Sequence, residues 1–213
     1  MMKKIYRRED LECADYLMSF KDALREEFLN YHTDFFTDFS KKEYVNPING
    51  ATTINYTGAW TTTTVKYSFK HRNNIIAPEI RKFFPTAIKL TNEFIADCPI
   101  SSYSIIEPNG IIGRHTGPEN RDGDYIRIHI PLFVPEGDVF FEVGGEVVYW
   151  DDIFAFDNQT IHSAFNYTNT RRLVYLIDIR RSRIGLPPGR TFDKVRDEDS
   201  YPPFDPEPYR KHK

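Results

Sequence analysis

Apolar residues recur every three or four positions between Glu9 and about Asn30, where Leu11, Ala14, Leu17, Met18, Phe20, Leu24, Phe28 and Leu29 are spaced by charges. That period predicts an amphipathic helix. From Tyr44 to Lys70 the pattern changes. The run "ATTINYTGAWTTTTVKYSFKH" is rich in Thr, Tyr and Val with a glycine break, so one or two strands are expected. Pro78 opens a second helical stretch, "PEIRKFFPTAIKLTNEFIADCP". Pro85 lies inside it, removing a backbone donor and crowding the preceding turn, which predicts a kink or two shorter helices.

From Ser101 to about Arg181 the texture becomes strand–turn–strand. The segments "SSYSIIEP", "DYIRIHIPLFVP", "VFFEVGGEVVYW", "IFAFD", "SAFNYT" and "RRLVYLIDIRR" are separated by Gly, Asn, Asp and Pro clusters. Many short strands of this kind predict an antiparallel sandwich or barrel. The Pro-rich, charged stretch from Ser182 is expected to run irregularly over the surface and to fray at its end. One domain is expected over 1–213. It divides into a helical and strand support (1–100), a β core (101–181) and an irregular tail (182–213).

Composition narrows the function classes. The hydrophobic share of 40%, with 15% aromatics, can fill a sizeable core in a 213-residue chain. A net charge of −3 argues against a general grip on nucleic acid or anionic lipid. No apolar run approaches bilayer-spanning length, and the charged start "MMKKIYRREDLECADYL" lacks the apolar centre of a signal peptide. A cytoplasmic protein with no membrane or nucleic-acid partner is therefore expected. Cys13 and Cys98 form neither a metal spacing nor a disulfide framework. Both are expected to be reduced thiols on helices, partly buried.

The chemistry concentrates in two stretches. In "YIRIHIPL", alternation puts Arg127, His129 and Pro131 on one face and Ile126, Ile128 and Ile130 on the other. An inward Arg and His are costly in a packed core unless they meet an anion or a metal. In "RRLVYLIDI", Arg172, Val174, Leu176 and Asp178 share a face, with Arg171, Leu173 and Tyr175 opposite. A half-hollow barrel with inward arginines suits a small dicarboxylate, because guanidinium grips carboxylate in a two-bond fork. His115 is placed in a Gly-containing loop and His162 just after a strand end, both at the barrel mouth. Two imidazoles leave most of a metal's coordination sphere open, as catalysis requires. The usual non-haem iron triad adds a carboxylate two residues after the first histidine, where this chain has Gly117. Taken singly, each histidine also fits a surface or hydrogen-bonded role.

Taken together, "HTGP" (115–118), "RIH" (127–129), "FDNQTIH" (156–162) and "RLVYLIDI" (172–179) resemble the aspartyl/asparaginyl β-hydroxylase family. The match covers about residues 101–180, with weaker likeness through "FPTAIKLTNEFI". The resemblance implies a mainly β fold with N-terminal helices, a double-stranded β-helix (a jelly-roll, cupin-like barrel). It also implies Fe(II)- and 2-oxoglutarate-dependent oxygenase activity. His115 and His162 would be the iron ligands, with water in place of the carboxylate, so Gly117 matches the family. Arg172 would pair with the distal carboxylate of 2-oxoglutarate, helped by Ser104. Arg127 and His129 would approach the carboxylate nearer the metal. Asn158 departs from the pair of acids expected before the second histidine, and the loop from His115 to Arg127 is longer than in better-known relatives.

The implied function is hydroxylation of an unactivated carbon using O2, with release of succinate and CO2, probed first on an amino-acid or peptidyl Asp/Asn-type substrate. Arg114 and Arg121 are candidate substrate contacts, although either also fits a solvated loop. The alternatives are a cupin-like barrel that binds a metal or small carboxylate without turnover, and a metal isomerase on the same barrel. Trp150 is expected to pack at a strand end, Trp60 to form a sheet wall, and His32, His71 and His212 to face solvent.

Overall fold

The computed structural model describes residues 3–32, 35, 60–67, 78–94, 96–117, 122–189 and 203–211. Within them the helices are α1 (Ala14–Met18), α2 (Lys21–Tyr31), α3 (Pro78–Phe83) and α4 (Pro85–Glu93). The strands are β1 (Ile5–Arg7), β2 (Trp60–Tyr67), β3 (Ile100–Ile106), β4 (Ile111–His115), β5 (Tyr125–Phe133), β6 (Val139–Val143), β7 (Glu146–Tyr149), β8 (Phe154–Phe156), β9 (His162–Asn166) and β10 (Arg172–Arg180). They form a six-stranded sheet in the order β1-β8-β5-β10-β3-β2 and a four-stranded sheet in the order β4-β9-β6-β7. Every pairing is antiparallel. The fold is the mainly β, jelly-roll type, with N-terminal helices.

Alternation along the strands divides the core in two. Ile126, Ile128 and Ile130 of β5 and Leu173, Tyr175, Ile177 and Ile179 of β10 point to the helices. There they pack with Leu17, Leu24, Phe28, Ala87 and Leu90. Leu17, Leu24 and Phe28 are fully buried, each worth roughly 1.5–3 kcal/mol of burial. The opposite face of the large sheet meets the small sheet. Ile106, Phe154, Phe156, Val174 and Leu176 pack there against Ile112, Phe141, Val143, Val148 and Ala164.

Several local expectations change. The N-terminal helix is broken: a 3-10 turn at Arg8–Asp10 precedes α1, and Ser19 and Phe20 separate α1 from α2. Pro85 divides the second stretch into two helices and opens α4, a position where its missing N–H needs no partner. "VFFEVGGEVVYW" is a hairpin, β6–β7, turned at Gly144 and Gly145 with φ of +56° and +88°. Two successive positive φ values suit glycine and match the right-handed twist of the strands. Neither cysteine sits in a helix. Cys13 precedes α1, and Cys98 lies fully buried in the link from α4 to β3. His32 is buried and not solvent-facing, its ring centroid 4.4 Å from that of Phe28. Of the stretch from Tyr44 to Lys70 only β2 is described, and His71 and His212 lie outside the described residues. The segment after β10 is held down, with Arg181 and Ile184 buried. Phe204 and Tyr209 stack on each other, and Phe204 also meets Phe165 of the small sheet.

Candidate active site

Between the two sheets lies a small cavity of about 30 Å³. Its polar lining consists of Ser104, His115, Arg127, His129, His162 and Arg172. Trp60, Ile112, Phe141, Phe156, Ala164 and Leu176 complete the wall. The six polar residues are separated by up to 68 positions in sequence and come from β3, β4, β5, β9 and β10. Arg114 is not part of this lining, and Arg121 lies outside the described residues.

His115 ends β4 and His162 begins β9, so both belong to strands, whereas the sequence pattern put them in a loop and beyond a strand end. They are register partners, with ring centroids 4.2 Å apart. A β-bulge produces this pairing. Ile112 opposes Ala164, yet His115 opposes His162, so three steps on β4 match two on β9. In a regular strand Ile112 and His115 would face opposite sides. The extra residue, beside Gly113, turns His115 to the cavity and sends Arg114 outward. There Arg114 forms a two-bond ion pair with fully buried Glu142, at 2.7 and 3.2 Å, and Glu142 also accepts from Ser163 Oγ at 2.8 Å.

Each of the two imidazoles has Nδ1 2.8 Å from a backbone carbonyl, Gly113 for His115 and Thr160 for His162. A carbonyl only accepts, so Nδ1 carries the hydrogen and, in the neutral ring, Nε2 carries the lone pair. Burial, reinforced by the charge of His115, pushes His162 well below the usual histidine range and keeps it neutral. Neutral imidazoles with Nδ1 anchored to carbonyls are the form that ligates metals. No group of three or more His, Cys, Asp or Glu suited to a metal occurs among the described residues. Gly117 donates its N–H to the carbonyl of buried Asn158 at 2.7 Å, so these two departures from a carboxylate pattern lie side by side.

The other end of the cavity is cationic. Arg172 is 2% exposed and no carboxylate among the described residues pairs with it. Its Nη1 donates to the Ser104 carbonyl at 3.1 Å and lies 3.5 Å from Ser104 Oγ, and its buried Nε has no hydrogen-bond partner. Desolvation alone lowers its pKa to about 9. A buried guanidinium in that state is poised to accept an anion. Ser104 Oγ also receives the Trp60 indole N–H at 2.9 Å. Arg127 is held by Asp178 through bonds of 2.7 and 2.9 Å. Burial, then the charges of Arg172 and Arg127, push His129 well below the usual histidine range.

The sequence profile of the family described as "Aspartyl/Asparaginyl beta-hydroxylase" matches residues 20–182, more than three quarters of the chain. The chain belongs to the aspartyl/asparaginyl β-hydroxylase family. A curated relative, the ornithine lipid ester-linked acyl 2-hydroxylase of Rhizobium tropici, is 32% identical over 80 residues. That match covers 36% of this chain and only 27% of the relative's length. Among solved structures, a 2OG-Fe(II) oxygenase family oxidoreductase from Burkholderia pseudomallei matches 63% of this chain and 73% of its own at 11% identity, with a TM-score of 0.40. KdgF from Halomonas sp. matches 66% of this chain and 94% of its own at 12% identity, with a TM-score of 0.36.

In this member of the β-hydroxylase family, sequence reasoning missed some residues around the cavity. Trp60 does form part of a sheet, but it also lines the cavity, 6.1 Å from the His115 ring. Trp150 is buried at a strand end as expected, yet it contacts both His129 and Arg172. Asp178 was placed on the inward face without a partner. Glu142 had no signal beyond an acid at an alternating position in an apolar strand. No helix of the described residues is long and apolar enough to cross a membrane.

Proposed function

We propose that this chain is an Fe(II)- and 2-oxoglutarate-dependent dioxygenase that hydroxylates an unactivated carbon, carried by one oxygenase domain with residues 101–181 as its core. The observation that carries the reading is the pairing, in one cavity, of two histidines anchored through Nδ1 with a buried arginine that has no acid partner among the described residues. His115 and His162 fit an iron ion through Nε2. Arg172 and Ser104 fit the distal carboxylate of 2-oxoglutarate, and His129 and Arg127 fit the carboxylate nearer the metal. Iron with 2-oxoglutarate and O2 supplies the oxidising chemistry, with succinate and CO2 as co-products. The chain's own part is binding and exclusion. The guanidinium of Arg172 orients the cosubstrate, and the Phe141, Phe156 and Leu176 wall keeps water from the reacting centre.

An amino-acid or peptidyl Asp/Asn-type substrate is the first candidate, in a protein working in the cytoplasm without nucleic-acid or membrane partners. The acyl chain named for the Rhizobium relative is the second arm of a screen. Arg114 as a substrate contact would require release from Glu142. Anaerobic titration with Fe(II) and 2-oxoglutarate tests the reading. A visible charge-transfer band that needs both additions is expected. Saturable carboxylate binding with no iron retained would favour a barrel that binds without turnover.

A further inference from the structure

Trp150 touches both donor groups at the cationic end of the cavity without lining the cavity itself. It is 2% exposed. Its indole Nε1–H donates to His129 Nδ1 at 3.1 Å, and the two rings are near parallel, 9° apart, with centroids 6.1 Å apart. The Arg172 guanidinium carbon lies 4.4 Å from the indole centroid. Thus the face of the indole supports the arginine and its edge holds the histidine.

We infer that Trp150 is a positioning residue that presets the carboxylate-binding end of the site. An indole N–H can only donate, so Nδ1 of His129 must accept, and the hydrogen of the neutral ring is fixed on Nε2. His129 is thereby held as a donor, with its bond directed from the side of the ring away from the indole. Among the described residues no carboxylate pairs with Arg172, and its buried Nε has no hydrogen-bond partner. Apart from Ser104, the contact that fixes the plane of the guanidinium is the indole face, a desolvated cation–π interaction. One side chain therefore aligns two groups that come from β5 and β10, adjacent strands, toward the same bound carboxylate compound. This proposal rests on the carboxylate-binding role given above to Arg172 and His129.

The test is calorimetric titration of 2-oxoglutarate into the full chain, with redox-inert Mn(II) in place of iron. Five proteins are compared: wild type, Trp150→Phe, Trp150→Leu, Arg172→Ala, and Trp150→Leu with Arg172→Ala. Phe keeps a ring under Arg172 and loses the N–H, so about a threefold weaker Kd is expected. Leu loses both contacts, and about a tenfold loss is expected, equivalent to roughly 1.4 kcal/mol. In the Arg172→Ala background the Leu change should add only about threefold, the share that passes through His129, because the share that passes through Arg172 is already lost. Full additivity in the double variant, or wild-type affinity in both Trp150 variants, overturns the positioning role. If Leu prevents folding, the Phe variant, which keeps an aromatic ring at the site, decides alone. Wild-type protein without saturable binding, or Arg172→Ala binding like wild type, overturns the carboxylate reading itself and this inference with it.

Discussion

The ion pair between Arg127 and Asp178 joins β5 to β10 at the cavity wall, and its removal has a calculable consequence. The side chains are 10% and 1% exposed, and both carboxylate oxygens are engaged, at 2.7 and 2.9 Å. Asp178→Asn keeps the shape and removes the charge, leaving the Arg127 cation in a pocket that already holds Arg172. Breaking one side of such a buried pair costs about 3–5 kcal/mol, because the surviving charge stays desolvated. For a chain of this size each kcal/mol lowers Tm by about 2–4 °C, so a fall of roughly 6–20 °C is expected. Replacing both partners with apolar residues of similar volume, Arg127→Met with Asp178→Leu, should restore most of the loss. Urea unfolding of the three proteins measures this directly. An Asp178→Asn variant that loses less than about 1 kcal/mol, or a double variant no more stable than the single one, would refute the reasoning. The double variant also separates two roles of Arg127: restored stability with weakened 2-oxoglutarate binding would assign it to the ligand as well as to the fold.

Three more outcomes are expected. His162→Ala removes one of two proposed iron ligands and should leave purified protein without bound iron by elemental analysis; unchanged iron content would sink the ligand assignment. Glu142→Gln leaves Arg114 without its buried carboxylate, and a thermal melt should show a loss of about 3 kcal/mol or more; an unaltered melt would mean that Arg114 and Ser163 find other partners at no penalty. Burial, then the charge of Asp178, raise the Cys98 thiol from the usual value near 9 to about 12. The unfolded chain releases this proton first, so stability holds below pH 9 and falls as pH climbs toward 12. Urea midpoints for wild type and Cys98→Ala across that window should diverge, and parallel curves would remove the thiol from the account.

What the sequence by itself determined was which way side chains point and where chemistry concentrates. Period-two alternation placed Arg127 and His129 on one face of β5, and Arg172 and Asp178 on one face of β10, as the structure has them. Pro85 marked the boundary between α3 and α4, since a ring that removes an N–H acts locally. The motifs around His115 and His162 carried the family resemblance that the profile match bears out.

The tertiary structure alone decided who meets whom. Strict alternation puts Ile112 and His115 on opposite faces, and only the bulge against β9 brings both to the cavity. A bulge is a property of two paired strands, so neither strand announces it. Arg127 finding Asp178, Arg114 finding Glu142, and Trp150 reaching both His129 and Arg172 are contacts between strands far apart in the chain. His32 differs: its ring packs on Phe28, four residues earlier, and on its neighbour Tyr31, so its burial rests on local contacts. Local spacing fixes the face a side chain occupies, because it follows from backbone geometry over a few residues. The partner across that face is set by sheet order and register, which no local pattern contains.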